Sequence, residues 1–180
     1  NLGCPHAERS PEKMGAQLGQ DPEASRAVVA AVRTAVRVPL IAKVTPQAGN
    51  LMAVVRAVEA AGADALTVSN RFLGFAVDIE RGVPYTGGWA AVGGPWIAPL
   101  TLRWVAQCHR DCGLPILGSN GAADWADAVE FLMAGASAVA VGTWNFIEPT
   151  AAAELPEKIA ARAAELGAAS VSELIGTLKL

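Results

Sequence analysis

The sequence has few cysteines, few aromatic residues and no cluster of basic residues. Of its 180 residues only 3 are cysteine and 6% are aromatic, and its net charge is −3 with no basic run. Three cysteines cannot hold an iron-sulfur cluster through four thiolates, and they make no disulfide framework. The weak negative charge argues against nucleic acid or an anionic membrane surface as the main partner.

Long apolar runs are also missing. No stretch approaches the ~20 residues of a membrane-spanning helix, and no signal peptide precedes Asn1. We therefore expect a cytoplasmic protein without a membrane partner. Because Asn1 is not an initiator methionine and opens inside an apparent strand, we also expect the chain to be part of a longer polypeptide.

The two later cysteines do not indicate a metal site. Cys108 and Cys112 lie on a predicted helix, where their spacing brings the thiols together but leaves His109 on another face. Packing on a helix face is the simpler interpretation, and no metal site is predicted.

The sequence does contain an alternation of buried strands and amphipathic helices. Hydrophobic residues make up 52% of it and charged residues 17%, which is typical of a globular domain with a sizeable core. Short apolar runs predict strands at 39–44, 63–69, 115–118 and 138–142, besides one at the start of the chain. Helical spacing predicts helices at 22–36, 51–61, 99–111, 125–134 and 152–166, and a short one over 170–180.

Local signals mark the ends of several elements. Asp21 and Pro22 predict the N-cap and first position of the first helix, and Gly62 predicts the end of the second. Residues 71–95 have no helical period and are rich in glycine. A long insertion at this end of a strand is expected to be functional.

This alternation predicts a parallel sheet with right-handed crossovers. About five strand-and-helix units correspond to the back half of the eight that close a TIM barrel. On periodicity alone, an open doubly wound sheet is the alternative architecture.

Polar residues at strand ends suggest a ligand site. Lys43 is the only charge inside a predicted buried strand, so it pairs with another group, extends to solvent or serves a ligand. Asn1 and Asn70 lie at the C-terminal ends of two different predicted strands, and their amides offer a ligand both a donor and an acceptor. Turn formation is the alternative role for either asparagine.

Four motifs run over nearly the whole chain: Asn1-Leu2-x-Cys4-Pro5-His6, Met14-Gly15, Gly19-Gln20-Asp21-Pro22-Glu23 and the run from Phe131 to Thr143. Together they resemble the FMN domain of dihydropyrimidine dehydrogenase and, more broadly, the dihydroorotate dehydrogenase superfamily. The resemblance implies a TIM (β/α)8 barrel of which this chain supplies about strands four to eight. Residues 1–180 would then be the C-terminal portion of a single FMN-binding domain, without its N-terminal half.

The resemblance also implies roles for individual residues. Cys4 would be the general acid/base on a mobile loop, Asn1 and Asn70 would bind the substrate, and Lys43 would contact the flavin near N1 and the O2 carbonyl. The late glycine loops lie where barrel enzymes commonly hold phosphate. The other residues implied to bind FMN are Gly93, Gly94, Asn120, Gly121, Gly142 and Thr143.

Three residues depart from the family pattern. Gly3 stands where the family usually has Ser beside the Cys, and Asn120 replaces the second Gly of the usual phosphate loop. Arg71 follows Asn70 where the family has Thr or Ser. A guanidinium at that position would favour a carboxylate or another anion, unless Arg71 is a solvated loop residue. We therefore include Arg71 among the substrate-binding candidates.

The resemblance implies an FMN-dependent oxidoreductase that acts on a C=C or CH–CH bond next to a carbonyl. Its substrate would be a pyrimidine such as uracil or thymine, or a dihydroorotate-like compound, with Cys4 moving the proton while flavin N5 exchanges the hydride. The chain has no G-x-G-x-x-G dinucleotide fingerprint. The resemblance therefore implies an iron-sulfur, FAD and NAD(P)H electron-transfer partner outside the chain, and we expect an oligomer.

Three other functions remain open on the sequence. One is a related flavin dehydrogenase for an anionic non-pyrimidine substrate, which Arg71 would favour. Another is a flavin-free phosphate-binding barrel lyase or isomerase, which would use the same glycine loops. The third is a non-catalytic remnant, as the changes at Gly3 and Asn120 suggest. Because part of a barrel leaves strand edges unpaired, we expect the chain alone to fold poorly.

Overall fold

The computed structural model describes residues 1–4 and 14–180, so Pro5 and His6 of the first motif lie outside the described residues. The helices are α1 Gly15–Leu18, α2 Pro22–Ala35, α3 Leu51–Ala60, α4 Ala98–Asp111, α5 Trp125–Met133 and α6 Ala151–Glu165. The strands are β1 Ile41–Lys43, β2 Ala65–Val68, β3 Phe72–Gly74, β4 Val77–Asp78, β5 Val83–Pro84, β6 Ala90–Val92, β7 Ile116–Ser119 and β8 Ala138–Ala140.

Four parallel strands form the central sheet in the order β1-β2-β7-β8. Lys43 lies beside Thr67, and Val68 lies beside Gly118. Each crossover between these strands contains a helix, as parallel strands require. The alternation predicted from the sequence is confirmed, and the carboxyl ends of all four strands meet at one edge of the sheet.

The predicted strand at the start of the chain is wrong. Residues 1–4 lie beside the end of β1 and make only one backbone hydrogen bond to it, from Leu2 N to the Lys43 carbonyl at 3.0 Å. The Gly3 carbonyl accepts a bond from the Asn70 side chain at 2.7 Å. In a strand, the Gly3 carbonyl would accept a hydrogen bond from the backbone of a neighbouring strand. Here it accepts one from the Asn70 side chain instead.

Side-chain caps fix the starts of the helices that follow the strands. Asp21 accepts bonds from the N–H groups of Glu23 and Ala24, with Pro22 at the first helical position. Asp124 and Asp127 form a reciprocal capping box at the start of α5. Gly62, with φ of 93°, follows the end of α3. These contacts confirm the caps predicted at Asp21, Pro22 and Gly62.

The insertion at 71–95 contains two small antiparallel pairs. Strand β3 pairs with β6, and β4 pairs with β5. The rings of Phe75 and Trp89 meet edge to face with their centroids 4.7 Å apart. The insertion therefore folds back on itself and returns the chain to the same edge of the sheet.

The core lies between the sheet and its helices. Leu66 and Val68 of β2 are fully buried, as are Val105 of α4 and Phe131 of α5. A small residue at Gly118 is required here, because a Cβ atom at that position would lie 2.5 Å from the Phe131 ring. The close packing of α5 against β7 thus restricts the position of the loop that joins them.

The C-terminal segment does not form the predicted helix. Val171–Leu174 make a single 3-10 turn. Gly176 N and Leu178 N then donate to the carbonyls of Leu132 and Met133, at 3.1 and 3.0 Å. Because these carbonyls belong to the last turn of α5, the segment is drawn out along the end of that helix. Among the described residues, no helix has both the length and the apolar character that crossing a membrane requires.

Candidate functional site: a cationic cleft at the strand ends

The carboxyl ends of the four parallel strands open into a cleft of about 370 Å³. Each strand contributes one residue at or just past its end: Lys43, Ser69, Ser119 and Ala140. In sheets of this kind, ligands bind outside the carboxyl ends of the strands. The cleft is therefore where the fold would place a ligand.

The charge of the cleft is positive. Lys43 and Arg71 both line it, and among the described residues no aspartate or glutamate does so. Within the described part of the chain, neither side chain forms an ion pair. Two cations without a counter-charge make the cleft suited to an anionic ligand.

Backbone N–H groups face the same cleft from two loops. Gly121, with φ of 135°, and Ala122 follow β7, while Gly142 and Thr143 follow β8. Among the described residues, none of these four N–H groups has a hydrogen-bond acceptor. Unpaired N–H groups grouped in loops are suited to an anion such as phosphate.

Two residues of the first of these loops have unusual backbone conformations. Asn120 has φ of 79°, so the asparagine that replaces the family glycine does adopt the left-handed conformation. A Cβ atom on Gly121 would lie 2.6 Å from the Ala98 Cα, so only glycine fits there. The loop is thereby pressed against the start of α4.

The N-terminus of α5 is not available to the same anion. Ala126 N and Asp127 N donate to Asp124 Oδ1 at 2.8 and 3.0 Å, and Ala123 N donates to Asp127 Oδ2 at 2.8 Å. Two carboxylates thus occupy this helix end. An anion in the cleft would depend on the loop N–H groups before the helix.

Asn70 lies beneath the cleft and does not line it. Its Nδ2 donates to Asn1 Oδ1 at 3.0 Å and to the Gly3 carbonyl at 2.7 Å, while its Oδ1 accepts from Arg71 N at 2.9 Å. Asn120 Nδ2 donates to the Asn70 carbonyl at 3.0 Å. The buried amide therefore joins the start of the chain, the insertion and the loop after β7.

Gly93 and Gly94 bring the insertion against this network. A Cβ atom on Gly93 would lie 2.5 Å from Asn120 Oδ1 and 3.0 Å from Arg71 Cγ. Gly94, with φ of 123°, lines the cleft and leads into the short turn Pro95–Ile97. The absence of a side chain at Gly93 allows Arg71 and Asn120 to pack side by side.

Cys4 is half-buried and does not line the cleft. Its carbonyl accepts a bond from Ala16 N at 3.0 Å, and residues 5–13 lie outside the described residues. The cleft likewise is not lined by Asn1 or Gly93. Of the predicted site residues, the structure places the following in the cleft wall: Lys43, Arg71, Gly94, Asn120, Gly121, Gly142 and Thr143.

The other two cysteines are remote from the cleft chemistry. Cys108 is buried with its Sγ 3.8 Å from Met52 Sδ, and burial raises the pKa of this thiol to about 12. Burial also raises the pKa of Cys112. In the described ranges, no cluster of His, Cys, Asp and Glu side chains could hold a metal ion.

Sequence reasoning missed several residues of the cleft wall. Ser69 and Ser119 stand at the ends of β2 and β7, where their position alone was the available signal. Trp144 and Phe146 come from the 3-10 turn after β8, and the Phe146 side chain is 92% exposed. This turn adds two large apolar side chains to the lining of the cleft.

Fold and cleft together define the class: a portion of a (β/α) barrel with a cationic cleft at its strand ends. The sequence model of the dihydroorotate dehydrogenase family matches residues 1–162. The chain therefore belongs to the dihydroorotate dehydrogenase family, as the motifs predicted.

Relatives and a solved structure agree with this assignment. The chain is 41% identical to the catalytic subunit of dihydroorotate dehydrogenase B (NAD(+)) of Trichlorobacter lovleyi, covering 99% of this chain and 58% of that protein. It is also 41% identical to the protein of that name from Porphyromonas gingivalis, covering 99% of this chain and 57% of the relative. A crystal structure of ligand-free dihydroorotate dehydrogenase from Eimeria tenella superposes with a TM-score of 0.79 at 18% identity, over 98% of this chain and 54% of that one.

These comparisons settle the architecture. The structural likeness confirms the barrel prediction over the open doubly wound sheet. The chain spans less than three-fifths of the length of these two relatives.

Proposed function

We propose that residues 1–180 are the C-terminal portion of a single FMN-binding barrel domain in a flavin-dependent oxidoreductase. The reaction is the oxidation or reduction of a CH–CH or C=C bond next to a carbonyl, on a dihydroorotate-like or other pyrimidine substrate. The observation that carries the proposal is the cleft, where two cations and four unpaired N–H groups meet at the strand ends. The names of the relatives support dihydroorotate as the type of substrate.

The residues present fit FMN. The N–H groups of Gly121, Ala122, Gly142 and Thr143 would hold its phosphate, and a Cβ atom on Gly142 would meet no other atom within 4 Å. Lys43 would place positive charge beside the flavin ring, where no carboxylate of the cleft wall opposes it. When bound, FMN supplies hydride transfer at N5.

Cys4 and the two asparagines would serve the substrate. Cys4 would give or take the proton at the carbon next to the one that exchanges hydride. Among the described residues Asn1 Nδ2 has no acceptor, while Asn1 Oδ1 is held by Asn70 Nδ2 and by Gly3 N. Asn1 is thus free to donate to a substrate carbonyl. Asn70 reaches the substrate only by exchanging its bond to Asn1.

Electrons would pass to or from a partner outside this chain. The two relatives are named as catalytic subunits of an NAD(+) enzyme. By analogy, a second subunit with FAD and an iron-sulfur cluster would connect this protein with NAD(H). We further propose that the assembled protein is oligomeric and cytoplasmic.

The test is the visible absorption spectrum of the full-length protein, followed by anaerobic photoreduction and mixing with orotate, uracil or thymine. A flavin spectrum that is bleached by reduction and restored by one of these compounds is the expected result. A colourless protein that takes up no added FMN would contradict the proposal. That outcome would favour a flavin-free phosphate-binding enzyme using the same loops.

A further inference from the structure

We propose that Arg71 selects a carboxylate-bearing substrate by pairing its guanidinium with that carboxylate in the cleft. The inference rests on the proposed function only in taking the cleft as the substrate site. It assigns recognition of the substrate carboxylate to Arg71, and it predicts that acids bind in preference to neutral pyrimidines.

The charge of the cleft is the first reason. Lys43 and Arg71 face a space of about 370 Å³ whose lining residues include no carboxylate. A flavin ring beside Lys43 would leave Arg71 still without an ion-pair partner from the described part of the chain. A guanidinium presents a planar fork of donors that matches a carboxylate in two parallel hydrogen bonds.

The fixed position of Arg71 is the second reason. Its backbone N donates to Asn70 Oδ1 at 2.9 Å, and Asn70 is itself buried and fully bonded. The stem of Arg71 packs on the bare backbone of Gly93, where a Cβ atom would lie 3.0 Å from Arg71 Cγ. These contacts place the backbone and the stem of Arg71 at the cleft wall, while the residue as a whole stays exposed.

The location of the anion-binding loops is the third reason. The unpaired N–H groups belong to the loops after β7 and β8, whereas Arg71 follows β2. Lys43 lies in β1 beside Thr67 of β2, and Arg71 comes three residues after the last residue of β2. The phosphate is therefore assigned to the loops after β7 and β8, and the substrate carboxylate to Arg71 in the segment after β2.

The experiment compares ligands that differ only in the carboxylate. Full-length wild-type protein, Arg71→Thr, Arg71→Lys and the control Arg81→Thr are titrated with orotate and uracil, and with fumarate and fumaramide, by calorimetry. Arg81 is an exposed arginine of the insertion that pairs with Asp78 outside the cleft. FMN content is measured on the same samples by absorbance.

The wild type and Arg81→Thr should bind at least one acid more tightly than its neutral partner. Because a hydrogen-bonded charge pair is lost, Arg71→Thr should weaken binding of that acid by about 10- to 100-fold and leave the neutral compound unchanged. Arg71→Lys should recover part of the loss, since it restores charge without the fork.

Three results would overturn the inference. One is an equal loss of acid and neutral ligand in Arg71→Thr, and another is a wild type that does not prefer either acid. The third is loss of FMN from Arg71→Thr but not from Arg81→Thr, which would assign Arg71 to the cofactor. A wild type without FMN that still discriminates the acids would contradict the proposed function while supporting the role of Arg71.

Discussion

Cys4 is the side chain on which the proposed proton transfer depends. We expect Cys4→Ser to lower turnover by about 100-fold or more, because a hydroxyl is a much weaker acid than a thiol. FMN content should not change, since Cys4 does not line the cleft. Single-turnover absorbance changes and the flavin spectrum measure the two effects separately.

Cys112→Ser is the matched control for that variant. Cys112 is also half-buried, but it lies between α4 and β7, at the opposite end of the sheet from the cleft. Turnover of Cys4→Ser equal to that of Cys112→Ser would rule out the acid/base role.

Cys108 provides a prediction of how stability changes with pH. Its thiol ionises near 9.0 when exposed, but burial raises the pKa to about 12 in the folded protein. Between these values the unfolded chain has lost a proton that the folded chain retains, so raising the pH favours unfolding. Below pH 9.0 the Cys108 thiol does not change the free energy of unfolding. Between pH 9.0 and about 12 it should lower that free energy by about 1.4 kcal/mol per pH unit.

Denaturant unfolding of full-length protein at several alkaline pH values measures this slope. Cys108→Ala serves as the reference, because it keeps every other group that titrates at high pH. The wild type should lose stability more steeply than this variant. Parallel curves would show that the buried thiol does not contribute.

At the level of single elements, the capping box of α5 links stability to the site. Asp124 and Asp127 satisfy the first N–H groups of the helix that follows the Gly121 loop. Because these carboxylates occupy the first N–H groups of α5, an anion at the end of β7 would meet the unpaired N–H groups of the preceding loop instead. The cap therefore fixes where α5 begins and separates the helix from the anion-binding loop proposed before it.

We expect Asp124→Ala to lower the free energy of unfolding by about 1 kcal/mol, the usual contribution of an N-cap. Asp124→Asn should retain most of it, because an amide oxygen also accepts from backbone N–H groups. Glu157→Ala removes an exposed acid of α6 that makes no hydrogen bond among described residues, and should have little effect. Urea unfolding of the full-length variants distinguishes these cases, and equal losses for Asp124→Ala and Glu157→Ala would refute the cap.

At the level of the whole molecule, the sheet is open. In the described residues β8 has no strand partner on its far side, and an apolar groove with Leu132, Val139 and Leu155 runs beside it. At the other side, the Ile41 side chain of β1 is 50% exposed. Open edges and apolar grooves of this kind favour association.

We therefore predict that residues 1–180 expressed alone bind a hydrophobic dye, unfold over a broad temperature range and self-associate. The same residues within the full-length protein should bind little dye and unfold sharply. Dye fluorescence, calorimetry and light scattering on both proteins make the comparison. A sharp transition without dye binding in the 180-residue chain would show that its edges are protected.

Local signals in the sequence account for much of the fold. The helix caps at Asp21 and Gly62 were predicted because a cap depends on neighbours within a few residues. The strands β1, β2, β7 and β8 were predicted because a continuous apolar run is typical of a strand buried on both faces. The two predictions that failed, a strand at Asn1 and a helix over 170–180, concern segments bonded to distant parts of the chain.

The sequence by itself determined the order of strands and helices, the family and the loops that meet at the strand ends. Only the tertiary structure decided which side chains share the cleft. Asn70 turns inward to hold Asn1 and Gly3, and Arg71 packs on Gly93 beside Asn120. These contacts join residues far apart in sequence through the register of the parallel strands, so no local pattern could specify them.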